Sequence, residues 1–181
     1  DGPRRLFDDL RLDHFYRATA ARRPELADLL GSLVRETAAH PARHLVHGDL
    51  SPKNVLVAPG PPVLLDWEVV HAGDPAFDVG MLSAHLALKA LRDQPAGGRA
   101  ATVGALRAFW DAYEGPADTG RSLRHTGAVM LARLFGKSPV DYLASGDERE
   151  RARSVGEQAL RGWLGDVGDL ALAVERAGGR R

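Results

Sequence analysis

The spacing of apolar positions changes along the chain, and each change predicts a different element. Leu6, Phe7, Leu10, Leu12, Phe15 and Tyr16 stand in a charged opening segment. They predict a short helix or two laid on the body. From Pro24 the spacing is regular. Leu26, Leu29, Leu30, Leu33 and Val34 recur at three- and four-residue intervals, the stripe of an amphipathic helix. That helix is expected to stop near His40-Pro41, because proline disfavours helical geometry in the residue before it. The rhythm then shortens. His44-Leu45-Val46 is an apolar run leading into His47-Gly48-Asp49. Residues 54–58 and 63–67 read as two strands around the turn signal Pro59-Gly60-Pro61-Pro62. Both strands are apolar on successive residues, so protein is expected on both faces.

Asp74-Pro75 reads as a helix cap followed by proline at the first helical position. Phe77, Met81, Leu82, Leu86 and Leu88 carry that helix to about Leu91. Residues 93–98 read as a loop. Helices are expected over 99–113, 121–135 and 148–164, a weaker one over 166–177, and a frayed tail over 178–181. The expected fold is α+β and mostly α-helical, with one small β-hairpin embedded in a helical body.

Composition narrows the class. A chain of 181 residues with 44% hydrophobic and 27% charged residues is an ordinary globular domain with enough length for a core. Lys+Arg and Asp+Glu are equal at 24 each, so no basic excess supports nucleic-acid or membrane-surface binding. The absence of cysteine excludes disulfides, thiolate nucleophiles and cysteine metal sites. No apolar run is long enough to span a bilayer, and the opening Asp1-Gly-Pro-Arg-Arg is no secretory signal. A cytoplasmic location is expected. The chain starts at Asp rather than Met, which is read here as truncation of a longer protein.

The candidate chemistry lies between His47 and Glu68. Asp49 and Asn54 have the D-x-x-x-x-N spacing of a kinase catalytic loop, and Asp66 follows where a second metal-binding carboxylate belongs. A turn centred on Gly60 would bring positions 54 and 66 side by side, about 4.8 Å apart across neighbouring strands. The amide oxygen of Asn54 and the carboxylate of Asp66 would then share one magnesium ion, which takes hard oxygens and keeps several waters and phosphates. Asp49, at the same end, would accept a proton from an attacking hydroxyl. Phosphoryl transfer depends mainly on positioning and charge neutralisation, which these groups supply. Ser51 and Lys53 lie where they could touch the transferred phosphate, although Lys53 reads equally as a surface lysine. Glu68 is either a further metal ligand or a solvated carboxylate. His47 reads as a hydrogen-bonded structural histidine, Asp74 as a helix cap, Asp78 as a support near a helix start, and His85 as a packing residue. Asp111, Glu114, Asp118 and Asp141 could attract a cationic substrate, but a solvated helix face is the stronger reading.

These residues resemble the aminoglycoside phosphotransferase and choline kinase superfamily. The match rests on His47-Gly48-Asp49-Leu50-Ser51-Pro52-Lys53-Asn54, then Leu65-Asp66-Trp67-Glu68, then Gly73-Asp74-Pro75-Ala76-Phe77-Asp78-Val79. The resemblance implies that residues 1–181 form the C-terminal catalytic lobe of a protein-kinase-like fold. It implies Asp49 as catalytic base, and Asn54 and Asp66 as magnesium ligands. Glu68 matches a D-x-E metal motif of some branches, notably methylthioribose kinases. His47 and Asp78 match positions that brace the loop from behind. ATP, or GTP, is the implied phosphate donor, with Ser51, Lys53, Asn54 and Asp66 at the nucleotide. Gly48 stands where many protein kinases carry an arginine that reads a phosphorylated activation loop, so a small-molecule hydroxyl is the implied acceptor. No Gly-rich loop or lysine strand precedes the motif, so the nucleotide-clamping N-terminal lobe is expected upstream or on another chain. The alternative is an inactive fragment or pseudoenzyme acting as a binding or regulatory module. A metal phosphoesterase built on His47 and Asp49 lacks the further His/Asp cluster that a two-metal site requires.

Overall fold

The computed structural model describes residues 2–93 and 97–179. A helical run opens the chain. Gly2–Phe7 (α1) continues through a π-helical stretch at Asp8–Arg17 into Ala18–Arg22 (α2). Leu12, Phe15 and Tyr16 of this run are buried, as the apolar points in the charged segment require. Arg23 leaves helical geometry, Pro24–Leu26 forms a 3-10 turn, and Ala27–Ala39 (α3) follows. α3 buries Leu30, Leu33 and Val34 and ends at His40, which is extended at ψ 134° ahead of Pro41.

The strands are His44–Val46 (β1), Val55–Leu56 (β2), Val63–Leu64 (β3) and His71–Gly73 (β4). They form two antiparallel ribbons rather than one hairpin. β1 pairs with β4, with Val46 opposite His71, and β2 pairs with β3, with Val55 opposite Leu64. Two expectations are corrected here. The register places Asn54 opposite Leu65, whose N–H it accepts at 2.9 Å, so Asp66 lies one position further on. The β2–β3 ribbon is also short and uncovered among the described residues: Leu56 and Val63 are each 52% exposed and Val57 81%. Successive apolar residues were a sign of two covered faces, but no other element among the described residues covers them.

The core is helical. Ala76–Leu91 (α4) is apolar on almost every side and buries Phe77, Met81, Ala84, Leu88 and Leu91. Gly98–Ala112 (α5), Thr119–Phe135 (α6), Gly146–Leu160 (α7) and Val167–Gly178 (α8) complete the body. α4 packs on α6, α5 and α8, and α6 packs on α7. The α6–α7 approach depends on Gly127. A Cβ there would fall 2.3 Å from the Leu160 nitrogen and 2.4 Å from the Gly156 oxygen. Polar caps set the helix starts. Asp118 accepts from Arg121 N–H at 2.7 Å, Asp166 accepts from Asp169 N–H at 2.9 Å, and Ser145 with Glu148 forms a capping box.

Some boundaries move. α7 ends at Leu160 rather than 164, because Gly162 turns to φ 72°. Gly178 closes α8 instead of fraying. Residues 94–96 of the expected loop and 180–181 of the expected tail lie outside the described residues. No helix among the described residues is long and apolar enough to cross a membrane.

Inside the core, His125 is fully buried. Thr37 Oγ1 donates to Leu33 O at 2.8 Å, so it accepts from His125 Nε2 at 3.3 Å; Tyr16 O–H then donates to Nδ1 at 2.7 Å. Burial pushes the imidazole down to about 3, which keeps this satisfied ring neutral.

Candidate active site

The β1–β4 ribbon and the start of α4 together shape the loop that carries Asp49. Asp78, in the first turn of α4, accepts the N–H groups of His47 at 2.6 Å and Gly48 at 2.9 Å. Burial raises the Asp78 carboxyl to about 6, and those two bonds work in the opposite direction. Gly48 adopts φ 79°, and a Cβ there would stand 2.9 Å from Val69 Cγ2 and Val69 O. Only glycine lets the loop turn this sharply against β4's approach.

His47 ties this loop to the second ribbon. Asp49 N–H donates to His47 Nδ1 at 3.2 Å, so Nδ1 is unprotonated and Nε2–H donates to Leu65 O at 2.9 Å. The His47 ring lies 4.6 Å from that of Trp67. The same Leu65 donates its N–H to Asn54 O. Residues 65–67 are thereby anchored to both ends of the loop.

Asp49 sits where these constraints meet and is only 8% exposed. Asn54 Nδ2 donates to Asp49 O at 2.9 Å and to Asp49 Oδ2 at 3.0 Å. Lys53 Nζ stands 3.1 Å from Oδ2 and Arg11 Nη2 3.3 Å from it. Arg11 also donates through Nε to Gly48 O at 2.7 Å. All three side chains reach Oδ2. Because its NH₂ faces Asp49, the Asn54 amide turns its oxygen to the other side.

Asp66 and Glu68 are exposed, with no protein partner among the described residues. Asp66 is at φ 65°, the one non-glycine with positive φ among the described residues. Aspartate tolerates this left-handed geometry better than most residues, and such strain concentrates at functional positions. Ser51 is buried at 1% exposure, and its hydroxyl finds no partner among the described residues.

The sequence profile of the phosphotransferase enzyme family matches residues 1–121, a span that includes the opening helices, both ribbons, α4 and α5. The chain belongs to this family. It is a phosphotransferase with the helical architecture of a kinase-like lobe, in line with the resemblance of its three motif blocks to the aminoglycoside phosphotransferase and choline kinase superfamily. No curated protein matches the chain.

Within this phosphotransferase, the structure gathers Asp49, Ser51, Lys53 and Asn54 at one loop and sets Asp66 beside it through Leu65 and Trp67. Glu68 sits in the exposed turn after Asp66, with no hydrogen bond or ion pair to the loop among the described residues. Asp74 does more than cap. It accepts from Ala76 N–H at 3.0 Å and also binds Arg121 Nε at 2.5 Å. His85 lines the same cavity as Asp49, and burial lowers its imidazole to about 4. Sequence reasoning missed Arg11, Lys89, Arg133 and Tyr142. Each lies far from the motif along the chain and carries no spacing signal. A larger cavity of about 590 Å³ lies between α7 and α8 and contains none of the phosphotransferase motif residues.

Proposed function

We infer that residues 1–181 are the C-terminal catalytic lobe of a small-molecule kinase that moves the γ-phosphate of ATP, or GTP, to an alcohol. The observation that carries this reading is the state of Asp49. Its carboxylate is buried in a loop fixed by Asp78, and Arg11, Lys53 and Asn54 hold it through Oδ2. Oδ1 is the oxygen left for an incoming hydroxyl. Asp49 orients that hydroxyl and takes its proton as the oxygen attacks phosphorus. Lys53 and Ser51 are placed to bind the oxygens of the group in flight, and Ser51 Oγ is a buried hydroxyl with no partner among the described residues.

The donor set suits magnesium. Among the described residues no three His, Asp or Glu side chains cluster as a cage. Magnesium needs few protein ligands when phosphates supply the others. Asn54 offers an amide oxygen and Asp66 an unpaired carboxylate, with Glu68 close in sequence; these residues would hold the ion. When bound, it would neutralise charge on the nucleotide phosphates.

The uncovered β2–β3 ribbon supports a second lobe as the partner. Leu56, Val57, Val63, Leu65 and Trp67 are all more than 40% exposed on one ribbon. A nucleotide-clamping lobe, upstream on the same protein or on another chain, would cover them. The compartment that fits this chemistry is the cytoplasm, where ATP is abundant.

The test is a screen of the full-length protein against hydroxyl acceptors, with nucleotide consumption as readout. Consumption should depend on the acceptor. Asp49→Ala should abolish turnover and leave nucleotide affinity within about threefold, since the base acts on the acceptor and not on nucleotide binding. Turnover unchanged by that substitution rules out the assignment.

A further inference from the structure

We propose that the acceptor of this phosphotransferase is an anion: a hydroxylated compound carrying a carboxylate or a phosphate ester, bound in the cavity beside Asp49. The proposal rests on the reading of Asp49 as the base and adds the chemical class of its substrate.

The cavity measures about 350 Å³, enough for a hexose-sized molecule, and Asp49, Ser51 and Lys53 form one wall. The other walls come from Phe15, His85 and Lys89, and from Arg133 and Tyr142 on α6 and the loop after it. The charge is one-sided. Lys53, Lys89 and Arg133 face a single lining carboxylate, Asp49. Lys53 is already paired with that carboxylate, and Arg11 reinforces it from behind. Asp141, next to Tyr142, is exposed and acts on Arg133 only through its field.

Polar groups left without partners point the same way. Ser51 Oγ, Arg133 Nε and Tyr142 Oη are all buried and unbonded among the described residues. All can donate a hydrogen bond, and Arg133 Nε can do nothing else. The Arg133 guanidinium has no carboxylate partner among the described residues; its neighbour is the Phe15 ring at 5.9 Å. Burial holds it below the usual arginine value. A desolvated, unpaired cation is costly unless an anion completes it. A cationic wall rich in donors, across the cavity from a base, fits an acceptor whose hydroxyl meets Asp49 and whose anionic group meets Arg133 and Tyr142. Such a wall disfavours amines, because its charge is positive and the one lining carboxylate, Asp49, already carries Lys53 and Arg11.

The experiment compares gluconate, glucose 6-phosphate, glucosamine and glucose as acceptors for the full-length protein. These share a six-carbon hydroxylated skeleton and differ in charge, and the first two separate carboxylate from phosphate ester. At least one of the anions should exceed both others in kcat/KM by tenfold or more. Arg133→Ala should raise the KM of that acceptor at least tenfold and leave the nucleotide KM within twofold. Tyr142→Phe, which removes one oxygen and no volume, should raise it about threefold. A preference for glucosamine or glucose overturns the proposal and leaves the Asp49 reading standing if Asp49→Ala still abolishes that turnover. A rise in nucleotide KM on Arg133→Ala also overturns it, because the cavity then serves the triphosphate. If none of the four supports turnover, binding decides. Broadening or shift of the Arg133 Nε–H resonance by gluconate or glucose 6-phosphate, and not by glucosamine, supports the anionic site. No response to either anion overturns it.

Discussion

Asp78 holds two amides of the reactive loop with a carboxylate that burial raises to about 6. The folded chain therefore binds this proton more tightly than the unfolded chain, whose value is near 3.8. Stability from this group is greatest below the unfolded value and falls as pH rises through the window from about 4 to 6. The loss totals about 3 kcal/mol for a shift of this size. The unfolding free-energy difference between wild type and Asp78→Ala should thus be larger at about pH 4 than at about pH 7, by most of that amount, roughly 2.5 kcal/mol. Denaturant titrations at the two pH values check it; an equal difference at both contradicts the assignment. Much of the site was legible at this scale. The spacing of Asp49, Asn54 and Asp66 and the position of Asp78 carried enough pattern to single them out. Arg11, Arg133 and Tyr142 were not legible, since they reach the site by tertiary packing from elements whose sequences only look helical.

The hairpin shows where pattern reading stops at the level of elements. Pro59-Gly60-Pro61-Pro62 marks a turn without fixing its length, and the observed register pairs 55 with 64. An offset of one residue alternates which side chains share a face. Asn54 and Asp66 are consequently related through the anchored Leu65 and Trp67, not as direct cross-strand neighbours. The β1–β4 pairing was also invisible, because His71-Ala72-Gly73 has no strand-like composition. The helices were easier to read. Apolar stripes and caps placed α3, α4, α5 and α6 to within a few residues. Their packing partners depended on features without period, such as the glycine contact between α6 and α7. Gly127→Ala forces a methyl onto the Leu160 and Gly156 backbone. It should destabilise the protein by about 1–3 kcal/mol, seen as a lower denaturation midpoint with unchanged slope. An unchanged midpoint contradicts this account of the helix contact.

Over the whole molecule, equal numbers of acidic and basic residues gave no hint of a charged site. The asymmetry is local, with three cations around one carboxylate in a cavity beside the loop. The apolar surface is equally uneven: the core is fully buried along α4 and α6, and the β2–β3 ribbon is open. Both features lie close to Asp49, one walling the cavity proposed for the acceptor and the other facing the place where a lobe and nucleotide would sit. Together they give the molecule one working face. The central claim is that Asp49, Asn54 and Asp66 serve a single metal–phosphate centre on that face. Its most direct test is nuclear magnetic resonance of the full-length protein titrated with Mn²⁺ and a non-hydrolysable ATP analogue. The amide signals of residues 49, 54 and 66 should broaden together, before those of α8, and Asp66→Ala should remove the effect. Broadening that spares residues 49 and 54, or that survives Asp66→Ala unchanged, contradicts the account.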